Sequence, residues 1–231
     1  MIKFDNVSKI YTGNTYALKT TSLNIDRGEF VFLVGISGAG KSTMIKLLLK
    51  EEEPTSGTIF VNKENITLLK RKQIPFFRRK IGVVFQDFRL IPTLNVYENV
   101  AFALRATEAP YKDIAKKVPL VLSLMGLSAK HKSFPDELSG GEQQRVAIGR
   151  AIINNPLVVI ADEPTGNLDH ETSQGIMDIL NDINRAGTTV IMATHAKDIV
   201  NVMKKRVITL ESGEVVRDIR GGGYEDEAKF F

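Results

Sequence analysis

Phe30-Val31-Phe32-Leu33-Val34 runs directly into Gly35-Ile36-Ser37-Gly38-Ala39-Gly40-Lys41-Ser42-Thr43, which runs into Met44-Ile45-Lys46-Leu47-Leu48-Leu49. An apolar β-type run, a glycine-rich segment and a helical apolar pattern read as strand, loop and helix. The loop has the spacing G-x-x-x-x-G-K-S. Its glycines let the backbone turn N–H groups onto a phosphate chain at a helix N-terminus, because they permit close approach and backbone angles costly for other residues. Lys41 is expected to reach the β- and γ-phosphates, and the Ser42 hydroxyl a Mg²⁺ ion. A plain strand-to-helix turn would call for the glycines but not for the Lys-Ser pair. The stretch therefore predicts a nucleoside triphosphate site in an α/β fold.

The 231 residues, 43% hydrophobic and 25% charged, suit one large domain or a core with a subdomain. No apolar run approaches the roughly 20 residues needed to span a bilayer, so the chain is not expected to cross a membrane. Met1-Ile2-Lys3-Phe4-Asp5 lacks a signal-peptide layout, and the chain has no cysteine, which fits a cytosolic compartment. A net charge of +4 is too mild to call for nucleic acid, and none is expected.

Before the loop, residues 2–7 and 16–25 carry β-type patterning around the turn Thr12-Gly13-Asn14. Tyr11 could stack on an adenine face or simply pack at a strand end. After it, Thr58-Ile59-Phe60-Val61 reads as a strand, and Lys63 to Lys80 is strongly basic. That stretch suits either a solvated helix face or an anionic partner such as lipid. Ile81 to Phe85 is a further buried strand ending at Gln86. A glutamine at the carboxyl end of a parallel strand faces the crevice where ligands bind, placing its amide near Mg²⁺ or an attacking water.

From about 87 to 150 the alternation gives way to helical patterning, read as a helical subdomain inserted into the sheet domain, with Pro119 interrupting the helix over 111–125. Leu138-Ser139-Gly140-Gly141-Glu142-Gln143 opens one of these helices. Ser139 and Glu142 form a capping box, and the bare Gly140-Gly141 offers a second phosphate-approach surface at a positive helix end. Gly149 within that helix costs up to about 1 kcal/mol relative to alanine. Leu157 to Ala161 is an apolar strand ending in Asp162-Glu163. Asp162 suits the metal shell and Glu163 the attacking water. Asp169 is placed to cap a helix beginning near Thr172. His195 follows the strand Thr188 to Ala193, positioned to donate to a γ-phosphate. Residues 221–231 read as a mobile tail after a domain spanning 1–220.

This ordered set resembles the ATP-binding subunits of ABC transporters over essentially the whole chain up to about Val216. Softer marks, including Phe85 to Leu90, Val96 to Leu104 and Ile152 to Pro156, are most like the family's bacterial cell-division branch. The resemblance implies a P-loop core with a mainly parallel sheet, an N-terminal antiparallel β subdomain and the inserted helical subdomain. It also implies ATP and Mg²⁺, and a head-to-tail homodimer with ATP held between Lys41 of one subunit and Ser139 and Gly141 of the other. Asp169 would cross that interface, and Tyr11 would stack on adenine. The implied setting is the cytoplasmic side of the cell membrane, with an integral membrane subunit that controls peptidoglycan hydrolases. Lipoprotein release or macrolide export is the alternative within the family.

Overall fold

The computed structural model describes residues 1–13 and 15–224. Strands Ile2–Tyr11 (β1) and Thr15–Ile25 (β2) form a hairpin, and Phe30–Val34 (β3) leads through the glycine loop into helix Lys41–Leu48 (α1). Ser56–Val61 (β4) and Glu64–Asn65 (β5) return to β1 and complete an antiparallel sheet in the order β2-β1-β4-β5. A short helix Ile74–Arg78 (α2) precedes Ile81–Phe85 (β6), and helices Val96–Arg105 (α3), Tyr111–Leu124 (α4) and Gly140–Ile152 (α5) follow it. The chain then alternates Val158–Asp162 (β7), His170–Arg185 (α6), Thr189–Ala193 (β8) and Lys197–Met203 (α7), and ends in the hairpin Arg206–Glu211 (β9) and Glu214–Ile219 (β10).

The second sheet has the order β10-β9-β3-β8-β7-β6, parallel throughout except for the β10–β9 hairpin. Its central strands are buried on both faces, which explains their unbroken apolar runs. Period-2 alternation sorts them between two cores. Phe30, Phe32, Val159, Ala161, Val190 and Met192 meet the inserted helices and α6. Val31, Leu33, Val158, Ile160, Ile191 and Ala193 meet α1 and the antiparallel sheet. The fold is thus the α/β class that the sequence predicts.

Three local expectations change. Pro119 does not interrupt α4, which runs unbroken over Tyr111–Leu124. Pro119 and Ala115 are both exposed, so water can meet the carbonyl that proline leaves without an N–H partner. Gly149 serves packing: a Cβ there would lie 3.1 Å from Val121 Cγ1 and 3.3 Å from Met125 Cγ, so the missing side chain lets α4 approach α5. Tyr224, assigned to the tail, is buried in the core and donates its N–H to Asn201 Oδ1 at 2.5 Å. The rest of the expected tail, 225–231, lies outside the described residues. Among the described residues no helix is long and apolar enough to cross a membrane.

Candidate active site

The register of the large sheet builds the site. Hydrogen-bond pairing sets Leu33, Ala193, Asp162 and Phe85 in one row across β3, β8, β7 and β6. The residues just beyond that row, at the carboxyl ends of the strands, are Gly35, His195, Glu163 and Gln86. All four line one cleft of about 680 Å³ with the whole loop Ile36 to Thr43 and Asp162, a volume in the range of small-ligand sites. Sequence-distant residues thus converge because parallel strands end on the same edge.

Backbone geometry fixes the loop. Gly35 has φ +147° and Gly40 φ +112°. A Cβ would stand 2.3 Å from the Leu210 carbonyl oxygen at the first and 2.6 Å from the Ala17 carbonyl oxygen at the second, so no other residue fits either place. Unlike α3, α5 and α6, α1 has no side-chain N-cap, leaving the N–H groups of its first turn to the cleft. The Lys41 ammonium folds over the loop, donating to the carbonyls of Gly35 at 2.6 Å and Ile36 at 3.2 Å.

Glu163 stands at φ +48°, a conformation that costs a non-glycine residue about 1–3 kcal/mol. Its N–H donates to the Ala193 carbonyl at 2.9 Å. Its carboxylate meets His195 Nδ1 at 2.8 Å and accepts from the His195 backbone N–H at 3.3 Å. A neutral ring with its proton on Nδ1 offers only an acceptor at Nε2. Donation from Nε2 to a phosphate therefore requires a doubly protonated ring, or a Glu163 that has released it.

Ser42, Gln86 and Asp162 contribute hydroxyl, amide and carboxylate oxygens, a hard donor set that fits Mg²⁺. Burial first, then the adjacent Glu163, pushes the Asp162 carboxyl above the usual carboxylate range, against the opposing pull of Lys41 and Arg89. A dication would relieve both effects. Among the described residues no three or more His, Asp or Glu side chains are arranged to hold a metal ion by themselves, so phosphates and water would complete the shell.

The sign of that shift gives a prediction. Between the unfolded and folded pKa values the native state holds more protons on Asp162, so stability falls as pH rises through this window and the cost is full above it. Asp162→Asn should raise the melting temperature of the nucleotide-free protein at neutral pH, with the gain shrinking on acidification. Calorimetry across pH checks it; a lower melting temperature at neutral pH contradicts it.

Other expected site residues lie outside the cleft. Ser139 Oγ accepts from the Glu142 N–H at 3.3 Å, while Glu142 Oε2 accepts from the Ser139 N–H at 2.9 Å. That second bond, opposed by partial burial, holds the Glu142 carboxyl below its usual range. Gly141 has a role within the chain: a Cβ there would meet Thr172 Cγ2 at 2.3 Å, so the bare Cα lets α5 and α6 start side by side without strain. A Cβ at Gly140 would lie 3.2 Å from Leu168 Cδ2. Gly141→Ala is expected to cost about 1–3 kcal/mol as overpacking, and Thr172→Ser to recover most of it; urea unfolding of the single and double variants measures both.

Asp169 caps α6 as expected, accepting from the Thr172 hydroxyl at 2.6 Å and its N–H at 2.9 Å; the hydroxyl bond first, then the N–H, lowers its carboxyl pKa. Tyr11 ends β1, half-buried, with the Lys9 ammonium 4.9 Å from its ring centroid. Ala17, Lys197 and Tyr224 line the cleft without having been expected. Ala17 is chemically silent, and Lys197 was readable only as a cation two residues past His195.

Fold and cleft together define a P-loop ATPase. Residues 18–166 match the family model described as ABC transporter, and the chain belongs to that family. It is 57% identical over 224 residues to the cell division ATP-binding protein FtsE of Bacillus subtilis, covering 97% of this chain and 98% of that protein. To FtsE of Escherichia coli strain K12 it is 46% identical over 215 residues, covering 93% and 97%. The dimeric post-hydrolysis structure of the ATP-binding cassette MJ0796 with ADP and Pi superposes with a TM-score of 0.86 at 38% identity, over 97% of this chain and 100% of that one. The chain is an ABC-type ATPase whose likeness is to the FtsE proteins of cell division.

Proposed function

We propose that this chain is the ATP-binding and ATP-hydrolysing subunit of an FtsE–FtsX-type complex at the cytoplasmic face of the cell membrane. ATP-driven closure of a homodimer would be coupled to an FtsX-like integral membrane subunit that regulates peptidoglycan hydrolysis in division. The observation that carries the catalytic part is the convergence of the glycine loop, Asp162, Glu163, His195 and Gln86 on one sheet edge. The Ser139 helix start, outside that cleft, is free to meet a second copy, as the dimeric cassette relative suggests.

In this reading the loop N–H groups and Lys41 hold the triphosphate, and Tyr11 stacks on adenine. Ser42, Gln86 and Asp162 hold Mg²⁺, which when bound neutralises charge on the phosphates. Ser139, Gly140, Gly141 and Glu142 present a helix end to the γ-phosphate held by the other subunit, with Asp169 crossing alongside. Glu163 leaves His195 to orient and deprotonate the attacking water, and His195 turns its freed proton toward the γ-phosphate.

Affinity purification of the full chain from detergent-solubilised cells tests the assignment. Recovery of an FtsX-like membrane polypeptide is expected; recovery of a lipoprotein-releasing or macrolide-exporting subunit instead would overturn it.

A further inference from the structure

Gly166 has no left-handed backbone, so its conformation does not demand glycine. The space it leaves is used: a Cβ there would lie 3.0 Å from Gln86 Nε2 and 3.2 Å from Gln86 Cδ. The next residue, Asn167, grips the same glutamine twice. Its Oδ1 accepts from Gln86 Nε2 at 3.2 Å, and its Nδ2 donates to the Gln86 carbonyl at 3.3 Å. Gly166 and Asn167 therefore form a cradle, open on one side for the amide and fixed on the other to its NH₂ group and its main chain.

An amide has two unlike ends. A hard divalent cation accepts only the oxygen, and an NH₂ group turned toward it is repelled. Gln86 lines the cleft with Ser42 and Asp162, and with Nε2 committed to Asn167, Oε1 is the end left to meet a ligand there. We propose that Asn167 is a positioning residue for metal binding: together with the space at Gly166, it sets the amide of Gln86 so that its oxygen faces the divalent cation. This rests on the reading of Gln86 as a metal ligand. It also ties that ligand to the loop bearing Asp169, two residues further on.

The test uses the full chain and its Asn167→Ala, Asn167→Asp, Gln86→Ala and Gln86→Ala/Asn167→Ala variants. Binding of a fluorescent ATP analogue is followed by anisotropy in EDTA and across Mg²⁺ titrations, with Mn²⁺ affinity of the nucleotide complex read by electron paramagnetic resonance. Affinity in EDTA should be the same in the parent and the single Asn167 variants, because Asn167 does not line the cleft. Asn167→Ala should raise the half-saturating metal concentration about 10-fold or more, the usual effect of removing a partner that orients a metal ligand. Asn167→Asp keeps the acceptor for Nε2 and should lie within about 3-fold of the parent by the same reasoning. On the Gln86→Ala background, Asn167→Ala should add nothing, since it acts through Gln86.

An unchanged metal dependence in Asn167→Ala, or an additive effect in the double variant, overturns the proposal while leaving the ligand role of Gln86 standing. A Gln86→Ala variant with the parent's metal dependence overturns the ligand role, and the proposal with it.

Discussion

Glu163→Gln is expected to lower steady-state ATP hydrolysis by about 10²–10⁴-fold, the contribution usual for a positioned general base, while leaving ATP affinity near that of the parent. Glutamine fills the same volume and can still bond to His195, so the left-handed turn at 163 should survive. It cannot take a proton. It also removes the neighbouring charge that pushes the Asp162 carboxyl upward, so metal and nucleotide should be held at least as well. The ATP-bound pair of subunits should then accumulate, visible as a dimer by light scattering only when ATP is present. Turnover equal to the parent's would remove Glu163 from its role.

Lys41→Met is expected to weaken ATP binding about 10–100-fold, which corresponds to the roughly 1.5–3 kcal/mol of a charge-assisted hydrogen bond. Without nucleotide the ammonium is held by the carbonyls of Gly35 and Ile36 at 2.6 and 3.2 Å. Binding is expected to exchange those partners for phosphate oxygens. Methionine keeps much of the lysine stem, so the loop should stay folded and the loss should fall on affinity. Isothermal titration calorimetry measures it, and a change under about 3-fold would mean that Lys41 faces the phosphates without bonding them.

The parts of the site legible in the sequence are those carried by contiguous residues. The strand-loop-helix around Gly35 to Thr43, the acids closing β7 and the histidine after β8 each announce themselves locally. That they share one cleft follows once the apolar runs are read as parallel strands, because parallel strands end together. What stayed hidden depends on pairs far apart in the chain. In the sequence Gly141 reads only as a phosphate-facing glycine; the structure adds Thr172 Cγ2, 2.3 Å from where its Cβ would be. Arg150 reads as one more charge of the helix, yet it donates to the Arg89 carbonyl at 2.6 Å and the Phe88 carbonyl at 2.9 Å. It thereby holds two consecutive left-handed residues just past Gln86, at φ +58° and +47°, and burial lowers its pKa. The Gly166-Asn167 cradle is of the same kind. Sequence spacing carries the phosphate chemistry, while the contacts that hold one loop against another appear only in three dimensions.

The central claim is that one copy of the chain holds the triphosphate on its loop and a second copy completes the site with Ser139. The chain has no native cysteine, so cross-linking reads this directly. Ile36→Cys is introduced in one preparation, at a position 73% exposed on the loop, and Ser139→Cys in another, each on the Glu163→Gln background. The two are mixed with a short bifunctional maleimide, with and without ATP. The account predicts a covalent heterodimer that forms only in the mixture and only with ATP. Equal cross-linking with and without ATP, or none while ATP is bound to both chains, would contradict it.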